Sequence, residues 1–139
     1  LSKLNHLEYY QKNFPKSLGF EFVKEVILPI IESSNLKIED KMRTFIEHIA
    51  QQIKRALPQE GGAIFVTGGG AYNDFLIETI QRYLPKNEII IPENKILEYK
   101  EALIFGLLGV LKMREEINVL ASVTGAKMNH SSGKIYNYF

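Results

Sequence analysis

Ala63 to Ile77 reads AIFVTGGGAYNDFLI. Its first five residues, Ala63-Ile64-Phe65-Val66-Thr67, are a short apolar run rich in β-branched and aromatic side chains. The run is too brief for a helix and stops at glycine, so a buried strand is predicted. Gly68, Gly69 and Gly70 then form a turn in which positive φ costs little and no Cβ blocks a close approach. From Ala71 the apolar spacing becomes helical, with Tyr72, Phe75, Leu76, Thr79 and Ile80 on one side. A strand, a glycine turn and a helix start gather free N–H groups and the positive end of a helix dipole, a combination that favours an anion such as phosphate. The glycines lack GxGxxG spacing, and no Lys-Ser/Thr follows them as in a P-loop, so a plain tight turn is the alternative.

Working outward, Glu88-Ile89-Ile90-Ile91 is a second short apolar run, preceded by a Pro85-Lys86-Asn87 turn and closed by Pro92. Two strands joined by one helix predict a parallel βαβ unit. Upstream, Ile38, Met42, Phe45, Ile46, Ile49, Ile53 and Leu57 keep a helical period, with acids early and bases late as the macrodipole prefers. Shorter stripes predict helices over Leu4–Phe14, ended by Pro15, and over Phe22–Ile30, disturbed by Pro29. Downstream, a long helix is expected from about Ile96 to Glu115. It is apolar nearly all round from Ala102 to Leu111 and is therefore expected to be covered on most sides, with Ala102, Gly106 and Gly109 on one line. Leu120–Gly125 reads as a loop and Gly133–Phe139 as a last short strand. No repeat or linker stands out, and one compact α/β domain over residues 1–139 is expected.

Whole-chain properties narrow the function classes. At 139 residues the chain is long enough to bury roughly two thirds of its unfolded surface. Apolar residues at 45% and charged residues at 24% are ordinary for a globular protein. A net charge of +1 gives no global field toward nucleic acid or an anionic membrane, and no run of about eighteen apolar residues would span a bilayer. The absence of cysteine removes disulfides, thiolate metal sites and cysteine nucleophiles and fits a reducing compartment. His6, His48 and His130 lie on separate elements, so no metal ligand is assigned. The first residue is Leu1, and the chain is expected to be a piece of a longer protein.

Glu101 shares a helix face with Leu97, Ile104, Phe105 and Leu108. A buried carboxylate there would suit proton transfer or the binding of substrate hydroxyls; the alternative is a first-turn acid that steadies the helix start. Asn73, three residues past Gly70, can face a ligand at the glycines or bond locally to backbone. Lys16-Ser17 and Thr124-Gly125 read most simply as polar turns.

Taken together, Val66-Thr67-Gly68-Gly69-Gly70-Ala71-Tyr72-Asn73, Lys100-Glu101-Ala102 with Phe105, and Ser122-Val123-Thr124-Gly125-Ala126 resemble the C-terminal part of the anhydro-N-acetylmuramic acid kinase family. Pro15-Lys16-Ser17-Leu18-Gly19 and Glu39-Asp40 fall in the matching order. The resemblance implies one lobe of an actin-like (ribonuclease H-like) sugar kinase fold, a short sheet covered by several helices. It further implies ATP and Mg2+ as cofactors, an anhydro-amino-sugar as substrate and a cytoplasmic role in peptidoglycan recycling. By analogy Gly68, Gly69 and Gly70 contact the nucleotide, while Asn73 and Glu101 face the sugar and Glu101 supports catalysis. The N-terminal lobe, with the family's phosphate motif and catalytic aspartate, is expected to lie outside this chain, leaving the chain inactive alone. Phe20 stands where many members have arginine, which weakens a substrate role for the Lys16 turn. A homodimer is one further arrangement open to it. Two other readings compete: a non-catalytic interaction module with the same lobe fold, and a Rossmann-like binder using Glu93.

Overall fold

A computed structural model describes residues 1–13, 16–57 and 61–136. These gather into two compact units, Leu1–Pro92 and Glu93–Phe139.

The first unit is built around a parallel pair of strands, β1 (Gly62–Phe65) and β2 (Asn87–Ile90), in the register Gly62 with Asn87 through Phe65 with Ile90. A bond from Val66 N–H to the Ile90 carbonyl, 2.9 Å, carries the ladder one residue further. Between the strands run a 3-10 turn at Gly69–Tyr72 and helix α6 (Asp74–Tyr83), which makes the predicted βαβ unit. Helix α5 (Ile38–Ala56) packs on α6, close to the predicted bounds. Ala50, Ile80 and Leu84 form the buried centre, and Ile53, Leu57, Leu76 and Tyr83 pack round it with Ile64 and Ile89 from one sheet face. The opposite face, with Phe65 and Ile90, is exposed.

Asn87, read from sequence as part of a turn, opens β2 and is buried. Its amide reaches across to Gly61, Nδ2 donating to the carbonyl at 2.8 Å, and so extends the ladder where the backbone pairing begins.

The N-terminal helices depart from expectation. Leu4–Phe14 is two short helices, α1 (Ser2–Asn5) and α2 (Glu8–Gln11), with Leu7 extended between them. Four-residue helices hold few internal bonds, so side-chain ties to α5 set their path. Phe14 and Pro15, the expected end, lie outside the described residues. Residues 20–32 form α3 (Phe20–Phe22), a π turn at Val23–Ile27 and α4 (Leu28–Glu32). Pro29 supplies no N–H and crowds the carbonyl one turn back, which accounts for the widened turn just before it. Ile38 and Met42, at the head of the α5 stripe, are exposed.

In the second unit α7 (Asn94–Met113) is followed by α8 (Ala121–Thr124). The expected loop at Leu120–Gly125 is therefore a short helix, closed by Gly125 in the left-handed region at φ 74°. Asn129 Oδ1 accepts from the Ala121 N–H at 2.7 Å, and Asn118 Oδ1 accepts from Ser132 N–H at 2.7 Å. The expected last strand is not formed over residues 133–136, which pair with no strand among the described residues; 137–139 lie outside them. The expected cover over α7 is also missing among the described residues: Leu103 is 71% exposed, Phe105 70% and Met113 76%. No helix among the described residues is long and apolar enough to cross a membrane.

Candidate functional site

The glycine turn sits between β1 and α6. Gly68 adopts φ 84°, a left-handed conformation in which a side chain would be strained, and it reverses the chain out of the strand. Ala71 N–H then donates to the Gly68 carbonyl at 3.0 Å, and Asn73 N–H to Gly70 at 3.2 Å. A Cβ built on Gly68 or Gly69 meets nothing within 4 Å, while one on Gly70 comes 3.6 Å from Leu76 Cδ2. The space over the first two glycines is thus open to a ligand, and the first amides of the turn have no carbonyl of that turn to bond.

Helix α6 starts at Asp74, three residues later than the apolar spacing predicts, because Asn73 caps it. Asn73 Oδ1 accepts from the Leu76 N–H at 3.0 Å. That local bond is the alternative open to this residue from sequence; it fixes the helix start and leaves the Nδ2 end to donate elsewhere.

Gly68, Gly69, Gly70 and Asn73 therefore stand together on one turn. Glu101 belongs to the second unit, near the middle of α7, and is exposed. Its expected burial does not occur, since Ile104 and Phe105 beside it are themselves exposed. It is also too far along the helix to be a first-turn acid. Lys16, in the other polar turn, donates to the Tyr9 carbonyl at 3.3 Å and lies 5.0 Å from the Tyr9 ring centre, contacts that hold it against α2. His130 is exposed, and its backbone pairs with Val119. Among the described residues no three His, Cys, Asp or Glu side chains gather to hold a metal ion.

Sequence reasoning missed a second polar centre. His48 is 1% exposed and bonded on both ring nitrogens, to Asn5 and to Tyr10. Burial above all, with the positive charge of Arg55 beside it, holds its imidazole down to about 4. Burial, then the neighbouring Tyr9, raises the Tyr10 phenol above its usual range. The available signal was a histidine one turn from Gln51 and Gln52 on a half-covered helix face.

Fold and turn together define an α/β protein that presents a bare glycine loop at a helix start beside a parallel sheet, an arrangement suited to a phosphate-bearing ligand. Comparison with known proteins narrows this class. Residues 1–138 match the family model for anhydro-N-acetylmuramic acid kinase. The chain is 32% identical over 148 residues to the anhydro-N-acetylmuramic acid kinase of Francisella tularensis subsp. novicida (strain U112), covering 100% of this chain and 39% of that protein. With that of Vibrio vulnificus (strain YJ016) it shares 29% identity over 143 residues, covering 98% and 39%. With that of Sulfurovum sp. (strain NBC37-1) the identity is 31% over 132 residues, covering 92% and 36%. The chain belongs to the anhydro-N-acetylmuramic acid kinase family and spans about 39% of the length of the first of these relatives.

Proposed function

We propose that this chain is the C-terminal, nucleotide- and sugar-facing lobe of an ATP-dependent kinase of two-lobed, actin-like fold. The substrate is 1,6-anhydro-N-acetylmuramic acid. Water opens the anhydro bridge while the terminal phosphoryl group passes from ATP to the sugar, leaving N-acetylmuramic acid 6-phosphate and ADP. The observation that carries this reading is the family match over residues 1–138. The open space over Gly68 and Gly69 supports it, being the kind of cradle a phosphate chain needs.

In this proposal the turn amides donate to nucleotide phosphate oxygens, and the missing side chains let the phosphates approach the backbone. The positive end of α6 favours the same charge. Asn73 keeps that helix start in place through its cap and offers its Nδ2 to the sugar as a donor. Glu101, exposed on α7, is free to accept hydroxyl protons from a sugar and to help orient the attacking water. Magnesium would neutralise phosphate charge when bound, and no ligand for it is assigned to this chain. Phosphoryl transfer needs base, metal and phosphate clamps aligned at once, so turnover is assigned to the whole kinase and not to these 139 residues alone.

ADP release with the anhydro-sugar and Mg-ATP tests this. The full-length kinase is expected to turn over and this chain alone to give none; turnover by the chain alone would reject the division of labour. In the full-length kinase, Glu101→Gln is expected to lower turnover roughly tenfold or more with an unchanged melting temperature. Turnover left intact would remove Glu101 from the site.

One observation favours a second reading, a partner-binding module without chemistry: the exposed apolar side chains of α7. A full-length protein that lacks an upstream catalytic aspartate, and neither binds nor hydrolyses ATP, would select it.

A further inference from the structure

The first unit holds a partly buried polar cluster, centred on buried His48, that the proposed phosphoryl chemistry does not use. At its centre His48 Nδ1 lies 2.7 Å from Asn5 Oδ1, and Nε2 lies 2.9 Å from the Tyr10 hydroxyl oxygen. Asn5 Oδ1 also accepts from Gln52 Nε2 at 2.8 Å. Asn5 Nδ2 donates to Gln51 Oε1, whose own Nε2 donates to the Tyr83 hydroxyl at 2.9 Å. Arg55 Nη1 reaches the Asn5 carbonyl at 3.3 Å. An amide oxygen only accepts, so the proton of the neutral ring sits on Nδ1. Nε2 is then the acceptor for the Tyr10 O–H.

This cluster supplies the hydrogen bonds from the segment's side chains to α5, while its Tyr9 and Tyr10 rings also meet Phe22, at 5.1 and 6.4 Å. Among described residues 1–13 only Leu4 is buried. The other ties to α5 run through Asn5 and Tyr10, with the Tyr10 ring edge-on to His48 at 5.0 Å. The α5–α6–sheet core contains no residue of the segment.

We propose that residues 1–13 form an acid-releasable strap, clasped to α5 by neutral His48 through Asn5 and Tyr10, which detaches on protonation while the α5–α6–sheet layer stays folded. A second ring proton, on Nε2, forces the Tyr10 hydroxyl from donor to acceptor and places a cation in a site without a balancing acid. The groups facing it are Tyr9 and Tyr10 from α2 and Arg55 from α5, with Lys12 and Lys16 along the same cleft of about 670 Å3 and Tyr83 of α6 linked through Gln51. No carboxylate lines that cleft among the described residues. Glu8 is engaged with Lys12, and Glu47 with Arg82.

The sign follows from proton uptake. With the strap closed the imidazole titrates at about 4, and with it open near the ordinary 6.5. The open form therefore takes up protons first as pH falls. The clasp is complete above the open-state value and weakens down toward the closed-state one. Linkage gives about a 30-fold rise in the opening constant between roughly pH 7.5 and pH 5.

Hydrogen exchange followed by mass spectrometry on this chain, corrected for intrinsic rates, reads this directly. Peptides from residues 1–13 are expected to exchange about 30-fold faster at the lower pH while those from α6 keep their protection. His48→Gln should abolish the pH dependence. Should that variant not fold, the ring tautomer in the unsubstituted chain decides: nitrogen NMR is expected to show Nδ1–H at neutral pH. Protection of residues 1–13 that is flat with pH, or lost in step with α6, or an Nε2–H ring, would overturn the strap.

Discussion

Helices α5 and α7 are almost the same length, nineteen and twenty residues, and their side chains meet opposite surroundings. Along α5 a polar face with acids first and bases last alternates with a stripe whose middle, round Ala50 and Ile53, packs on α6. Along α7 the apolar residues run round the cylinder, and only Leu97 is buried. The difference lies in how many neighbours each pattern demands. An amphipathic helix is satisfied by one apolar surface, which α6 and the sheet supply. A helix apolar on most sides needs cover on most sides, and the described residues do not supply it. Gly106 and Gly109 make the same point, since a Cβ on either meets nothing within 4 Å.

That contrast can be broken by substitution, with unfolding by denaturant as the readout. The largest effect is expected from Leu84→Ala at the buried centre of the first unit, a loss of about 2–5 kcal/mol from transfer and cavity terms. A loss under about 0.5 kcal/mol there would mean the layer does not form as described. Asn73→Ala is expected to cost about 1 kcal/mol through the lost helix cap, and Asn73→Asp to restore most of it, because an aspartate oxygen accepts from Leu76 N–H as well. Equal losses in the two variants would remove the capping role. Smallest is Leu103→Ala on α7, within about 0.5 kcal/mol in this chain because the side chain is already in water. The same change costing several-fold more in a full-length kinase would show that the rest of that protein covers this face.

The βαβ core was legible in the sequence because each of its signals is local. The Ala63–Thr67 run, the three glycines and the period of α6 and α5 need no knowledge of distant residues, and the strand pairing followed from the connection. What escaped depended on partners far along the chain. The break at Leu7 goes with ties from Asn5 and Tyr10 to residues about 40 positions away, and periodicity is blind to such bonds. Asn87 was mistaken for a turn residue because its amide pairs with Gly61 across the sheet. Cover for α7 was inferred from apolarity, which states what a helix needs and not whether its neighbours provide it. For the site, the open turn was foreseen from the glycines. Glu101 was assigned a buried setting that its exposed neighbours do not create.

The central claim is that the glycine turn faces the phosphates of a nucleotide, and Gly69 is the position at which to test it. Gly69 lacks the positive φ of Gly68, and a Cβ there meets nothing within 4 Å, so a side chain can be added without unfolding the turn. Calorimetric titration of ATP into the full-length kinase should show Gly69→Asp binding at least about tenfold more weakly, from a negative charge set beside phosphate, a difference of about 1.4 kcal/mol. Gly69→Ala should fold normally and lose less affinity than Gly69→Asp. ATP affinity unchanged in the folded Gly69→Asp protein would contradict the account.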